Sequence, residues 1–361
     1  MSDLARTSSG RITADSVLIT GGAGFIGCNL AHRLASEGRR VIILDNLSRA
    51  GVEQNLAWLQ ATHGDRIEAV IGDIRDKATV EAAVSRARAV FHLAAQVAVT
   101  TSLVDPVHDF TVNAGGTLTL LEAIRAQKTP PALVFTSTNK VYGKLPGVTF
   151  TRVGERYAPR DALMAGRGVG ENQPLDFASP YGCSKGAADQ YVLDYARTYG
   201  IPAAVFRMSC IYGPHQFGTE DQGWVAHFLK AALAGEAITL YGDGHQVRDI
   251  LFVDDLVDAL LLAVERMGSI QGEAFNIGGG IENSVSLVEL LERFPSLIGR
   301  KADVRFDEWR PGDQPWYVSN TTGFFARTGW RPQVGVEEGL MRLSRWLTEA
   351  RAVPADRQRV A

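Results

Sequence analysis

Three cysteines in 361 residues are too few, and too odd in number, for a disulfide framework. Cys28, Cys183 and Cys210 are therefore expected as free thiols, which suits a reducing cytoplasm. The opening segment "MSDLARTSSGRITADS" holds no apolar stretch of the kind a secretory signal needs, and residues 1–14 read as a disordered leader. No apolar run is long enough to span a bilayer, so no membrane partner is expected. An excess of one charge sign is missing too. Lys and Arg number 37 against 40 Asp and Glu, a net charge of −3, and no long run of like charge appears. That balance leaves no footprint for nucleic acid. No His, Cys and carboxylate set has the spacing of a metal site, so no metal is expected. The acidic "VDDLVDAL" reads as a helix start, with Asp254 or Asp255 as its cap. No internal repeat is visible.

What is present is 45% hydrophobic residue in a pattern. Apolar runs at 16–20, 40–45, 67–73, 89–95 and 132–138 alternate with amphipathic stretches. Continuous apolar runs bounded by turn residues fit strands buried on both faces. The expected fold class is therefore α/β: a doubly wound parallel sheet of the Rossmann type with right-handed crossovers, followed by a smaller C-terminal α/β domain. A long helix ends at Gly200, and "PAAVFRMSCIYGP" reads as one further buried strand. Between Lys144 and Ala178 the periodicity fails, and a long loop is expected. The tail at 351–361 is polar.

"LITGGAGFIG" puts Gly21, Gly24 and Gly27 between the first strand and the first helix. The chain turns tightly there, and its amides can approach a pyrophosphate at the helix N-terminus. Phe25 and Ile26 belong to the same loop. A glycine fingerprint alone is weak, but here the second strand also ends in a carboxylate, Asp45. That carboxylate can accept from both hydroxyls of an adenosine ribose, and it repels a 2′-phosphate, so NAD is expected over NADP. Asn46, Ser48 and Arg49 follow it, and Arg49 could soften that exclusion. Asp73 and Ile74 end the third run. Leu93, Ala94, Ala95 and Gln96 end the fourth. All face the crevice where such sheets bind ligands. Asn113 is read as a structural tie between neighbouring strands.

Tyr181 and Lys185 lie four apart on one helix face. A lysine ammonium and a nicotinamide cation would favour the phenolate of a tyrosine whose free pKa is about 10. Thr138 ends the strand "ALVFTST" and can share the same substrate oxygen. Beside NAD, the trio Thr138, Tyr181 and Lys185 suits removal of an alcohol proton while hydride leaves its carbon.

On the glycine loop, "TSTNKVYG" and "YGCSK", the chain resembles the extended short-chain dehydrogenases/reductases that act on nucleoside-diphosphate sugars. The likeness runs from about residue 16 to 348. The longer runs "FHLAAQVAVTTS", "STNKVYG", "SPYGCSKGAADQY", "EDQGWV", "QVRD" and "FNIGGG" are similar to the branch that epimerises CDP-hexoses at C2. The resemblance implies an NAD-binding part at 15–207 and 241–270, and a nucleotide-sugar-binding part at 208–240 and 271–350. It also implies a homodimer or homotetramer. In this reading Tyr181 is the base and then the acid, Lys185 tunes it and holds the nicotinamide ribose, and Thr138 fixes the reacting hydroxyl. The family's 4,6-dehydratases carry Asp-Glu after the threonine, whereas this chain carries Asn139 and Lys140. Oxidation is thereby supported and elimination is not. Lys140 either contacts the sugar, polarising a keto oxygen, or is a solvated charge. Gln96, Thr100, Thr101 and Ser102 are expected in a loop over the sugar. Arg248 and Arg310 would hold the diphosphate, the other reading of Arg248 being a surface pair with Asp249. Gln222, Trp224 and Tyr241 would flank the nucleotide. Epimerisation at C4, another sugar-nucleotide reaction such as 4,6-dehydration, and a non-catalytic NAD-binding sensor remain the alternatives.

Overall fold

The computed structural model describes residues 16–310 and 312–352, without the side chains of the last three. The expected leader at 1–14, and the expected tail from residue 353 onward, lie outside the described residues.

Seven parallel strands form the main sheet, in the spatial order 67–71, 41–45, 16–20, 87–92, 132–138, 203–208, 274–277. The order reverses between strands Ser16–Thr20 and Ala87–His92, and it is at such a switch that loops diverge and leave a crevice. Both faces are covered. Helices Phe25–Ser36, Val52–His63 and Val253–Glu265 bury Leu30, Leu34, Leu59, Leu256 and Leu260 on one side. On the other side, helices Lys77–Val84, Gly116–Arg125 and Ser179–Tyr199 bury Val80, Leu120, Leu121, Ile124 and Val192. Fully burying a Leu, Ile or Val side chain is worth about 1.5–3 kcal/mol, and these two layers hold the sheet rigid beneath its carboxyl edge.

The expected single strand at 202–214 divides. Residues Ala203–Met208 stay in the main sheet, whereas Cys210–Tyr212 pair with Val247–Phe252 in a smaller sheet. Ser209 stands between, its hydroxyl donating to the Asp249 carboxylate at 2.5 Å. Strands Ser284–Ser286 and Trp316–Tyr317 complete the smaller sheet. Helices Trp224–Ala234 and Val336–Ala352 pack over it through Leu229, Leu340 and Leu343. Strand Ala274–Ile277, expected with the sugar-binding part, is an edge strand of the main sheet, and Val247–Phe252, expected with the NAD-binding part, belongs to the smaller one.

The segment expected as a featureless loop carries an antiparallel hairpin, Phe150–Val153 with Arg156–Pro159, and a helix Ala162–Arg167 capped by Asp161. Strands of four residues are too short to print an alternation. This hairpin is held from outside instead, Arg156 pairing with Glu289 at 2.5 Å and Tyr157 donating to Asp243 at 2.6 Å. The acidic helix start also differs. Phe252 occupies the cap position, and Asp255 accepts from the amides of Gln333 and Val334 at 3.0 and 2.9 Å, tying down the chain before the last helix. No helix among the described residues is long and apolar enough to cross a membrane.

Candidate active site

The glycine loop crosses under the strand end at 93–96. Gly21 has a φ of +70°, and a Cβ there would stand 2.7 Å from the Ala94 amide nitrogen. A Cβ on Gly27 would stand 2.6 Å from Gly22 Cα and closer still to the Gly21 carbonyl. Only glycine lets these three segments pack together, and the loop they form is a shallow cradle. Asp45 sits across it. Its carboxylate accepts from the amides of Ala23 and Leu47 at 3.0 and 2.9 Å, and burial raises its pKa despite those bonds.

A continuous cavity of about 840 Å³ runs from this cradle to the smaller sheet, and every residue named above for cofactor, catalysis or substrate lines it except Ser102. At the cradle end, Asp73 is held by Arg75 at 2.7 Å and by Asn46 at 3.4 Å; the Arg75 hydrogen bonds keep its carboxyl well below the usual range. Arg49 turns away from that end and donates to Gln222 at 2.5 Å, so a cofactor-side and a substrate-side candidate meet across the mouth.

At the centre, the Thr138 hydroxyl lies beside the Tyr181 phenol and accepts from the Lys140 amide at 3.2 Å. Burial pushes the phenol up to about 12, with the Asp109 charge adding to the rise and the Thr138 hydroxyl opposing it. Lys185 lies with its ammonium 4.2 Å from the centre of the Phe135 ring. Burial lowers its pKa to about 7, against the pull of Asp189 and Asp109. The expected lowering of the phenol by this lysine is thus not what dominates; desolvation governs both groups. Asn113 ties the strand end at Gln96 to helix 179–199, through bonds to the Gln96 amide and to Ser184 at 2.8 and 3.0 Å, rather than strand to strand. Ser102, expected over the sugar, instead lies beneath helix 179–199, where it accepts from the Tyr181 amide at 3.2 Å. The side-chain oxygens of Gln96, Thr100 and Ser137 are buried against the same cavity without a partner among the described residues. Buried polar groups of this kind are satisfied by a ligand or water.

At the far end, Arg248 pairs with Asp313 and not with Asp249. Lys140 reaches the same Asp313 oxygen at 3.8 Å. Burial lowers the Lys140 pKa, with Arg248 adding to the effect and Asp313 and Cys210 opposing it. Arg310 stacks over the Tyr241 ring at 3.8 Å and pairs with Asp221 at 3.6 Å. Trp224 donates to the Cys210 thiol at 3.3 Å. Asp313 and Cys210 carry no signal in the sequence. Asp313 follows Arg310 by three residues in a polar loop, and only the fold turns it toward Lys140.

A glycine-bounded cradle, a carboxylate across it and a Thr–Tyr–Lys group share one cavity, an arrangement that can move hydride at an alcohol. The chain belongs to the NAD dependent epimerase/dehydratase family, which matches residues 17–278. It is accordingly an NAD-dependent enzyme, and the cradle at Gly21 and Gly27 with Asp45 opposite fits that cofactor. Among its relatives, a CDP-paratose 2-epimerase of Salmonella typhi is 42% identical over 339 residues, covering 91% of this chain and 98% of that protein. A UDP-glucose 4-epimerase of Mycolicibacterium smegmatis is 35% identical, covering 90% and 95%. The structure of a UDP-glucose 4-epimerase from Thermotoga maritima with UDP-glucose superposes with a TM-score of 0.79 at 32% identity, over 93% of this chain and 99% of that one. That of a Thermus thermophilus UDP-glucose 4-epimerase with NAD gives 0.77 at 34% identity, over 93% and 99%.

Proposed function

We propose that the chain epimerises a nucleoside-diphosphate hexose at C2, of the CDP-paratose to CDP-tyvelose type. The observation that carries the reading is the pair Asn139 and Lys140 beside Thr138. An amide and an ammonium stand where elimination of water would call for an acid and a base, in a chain 42% identical to a CDP-paratose 2-epimerase.

Bound NAD supplies reversible hydride acceptance, with no net redox over a turnover. Gly21, Gly24, Phe25, Ile26 and Gly27 would lie along its pyrophosphate. Asp45, Asn46 and Ser48 would take the adenosine ribose, and Asp73 and Ile74 would border the adenine. Tyr181 takes the proton of the C2 hydroxyl as hydride leaves that carbon, and gives it back when hydride returns to the opposite face. Burial holds the phenol near 12 in the protein alone, so positive charge beside it is what makes the phenolate accessible. Lys185 supplies part of that charge and a hydrogen bond for the nicotinamide ribose. Thr138, beside Tyr181, keeps the reacting hydroxyl in line. Gln96, Thr101, Asn139 and Lys140 face the hexose. Arg248 and Arg310 face the diphosphate, and Gln222, Trp224 and Tyr241 the nucleoside. A cytoplasmic homodimer or homotetramer completes the reading, supported by the exposed Val104, Val107, Phe110 and Tyr191 on neighbouring helices; light scattering on the eluting protein tests it.

The deciding experiment incubates the purified enzyme with CDP-, GDP-, UDP- and TDP-hexoses in heavy water, followed by NMR and mass spectrometry. A C2 epimer free of deuterium is expected. Loss of water, or deuterium on carbon, would show elimination chemistry and overturn the reading, and a C4 epimer would move the site of reaction.

A further inference from the structure

Asp313 serves two cations that come from different parts of the molecule. Lys140 follows the main-sheet strand ending in Thr138, and its backbone amide donates to the Thr138 hydroxyl at 3.2 Å. Arg248 projects from the smaller sheet. Both side chains address one carboxylate oxygen, Asp313 Oδ1, which also takes the Gln314 amide at 3.0 Å. The two contacts are unequal. The Arg248 guanidinium is in close hydrogen-bonded contact, whereas the Lys140 ammonium stands 3.8 Å away, attracted but beyond hydrogen-bond reach. No hydrogen bond of Lys140 Nζ is found among the described residues, although its side chain is only 23% exposed. A half-buried ammonium with three donors and a carboxylate just out of reach is poised for a small shift. All three groups line the cavity.

We propose that Asp313 is a positioning residue shared in turn by the two cations: the substrate diphosphate draws Arg248 off the carboxylate, and the freed carboxylate takes Lys140 into a hydrogen bond that aims its ammonium at the sugar. This rests on the reading of Arg248 as a diphosphate ligand. The arrangement has an opposing pair of consequences. Asp313 competes with the diphosphate for one guanidinium, and so weakens nucleotide binding. The same carboxylate fixes Lys140 for the reaction, and so raises turnover. A residue that merely touched the ligand, or merely supported the loop, would improve both or neither.

The test is Asp313→Asn, which keeps an acceptor for the Gln314 amide while removing the charge. Calorimetry of the NAD-loaded enzyme with CDP should show binding tightened by about 3- to 10-fold, the scale of a partly exposed ion pair. Turnover should fall by about 10- to 100-fold, matching Lys140→Met, and the double variant should be no slower than Lys140→Met alone. Asp313→Glu should recover most of the turnover. Weaker CDP binding in Asp313→Asn, or unchanged turnover, overturns the proposal. A second measurement leaves Asp313 untouched. In Arg248→Met without nucleotide the carboxylate is already free, so acylation of Lys140 by an N-hydroxysuccinimide ester, read by peptide mass spectrometry, should be slower than in the parent. Equal or faster labelling overturns the proposal as well. Neither the binding nor the labelling depends on which sugar is turned over. If the parent binds UDP instead of CDP, the nucleotide assignment fails, and the same titrations with UDP still decide the inference.

Discussion

Replacing Lys185 by methionine should stabilise the fold while abolishing turnover. The Lys185 side chain is buried on the helix that carries Tyr181, and burial brings its pKa from an ordinary value near 10.5 to about 7. Every tenfold loss of proton affinity corresponds to about 1.4 kcal/mol, so a fully protonated Lys185 costs the native state roughly 5 kcal/mol. The Phe135 ring under the ammonium returns about 1–2 kcal/mol of that to the lysine, and methionine keeps the apolar packing of the stem. The net gain from Lys185→Met at neutral pH is therefore about 3 kcal/mol. In a chain of this length a kcal/mol moves the melting temperature by about 1–2 °C, so a rise of about 3–6 °C is expected. The pH dependence carries the sign. Between pH 7 and pH 10.5 the unfolded lysine keeps a proton that the native one has released. Native stability of the parent thus climbs with pH across that window, and the full cost is present only below pH 7. Scanning fluorimetry on NAD-free protein should show the variant ahead at pH 6.5 and the gap closing toward pH 9.5. A variant that melts below the parent at pH 7, or a gap that ignores pH, would refute the reasoning.

Tyr181→Phe should retain NAD, read by absorbance of the purified protein, and lose turnover by 10⁴-fold or more, since in the proposed mechanism the phenol carries the proton. Gly27→Ala places a Cβ against Gly21 and Gly22, and overpacking of about 1–3 kcal/mol should appear as a 10- to 100-fold loss of NAD affinity by titration calorimetry, with a small change in melting. Asp189→Asn strips the partner from buried Arg207, which it now meets through two bonds of 2.9 Å; denaturant unfolding should show a loss of about 3–5 kcal/mol.

The main sheet was legible because its signals are local. Each of the first five strands is an apolar run closed by a turn residue. The glycine loop, Asp45, Thr138 and the Tyr181–Lys185 pair all sit at strand or helix ends that the pattern itself marks. What escaped depends on distant pairings. The hairpin at 150–159 exists because Arg156 and Tyr157 find Glu289 and Asp243 some ninety to one hundred and thirty residues on, and no window of sequence holds both halves. The passage of the chain from one sheet to the other at Ser209 is invisible inside the continuous apolar stretch around it. Arg248 illustrates the same limit. Its sequence neighbour Asp249 is turned to Ser209 and the Gly280 amide, and the partner that matters is sixty-five residues away.

The crossing at Ser209 bears on how the molecule could be taken apart or recombined. The smaller sheet draws its strands from 210–212, 247–252, 284–286 and 316–317, and between these the chain returns to the main sheet at 274–277. No contiguous piece of the gene therefore encodes either half. A cut between residues 212 and 336 separates a strand from its sheet or a helix from the face it covers. Exchanging the smaller sheet for that of a relative would mean grafting several short segments at once, each with its pairing partners, whereas changing one loop at the cavity rim disturbs neither sheet. Variation in such a scaffold is channelled into side chains on the rim, and new specificities in this architecture should arise by point substitution rather than by shuffling.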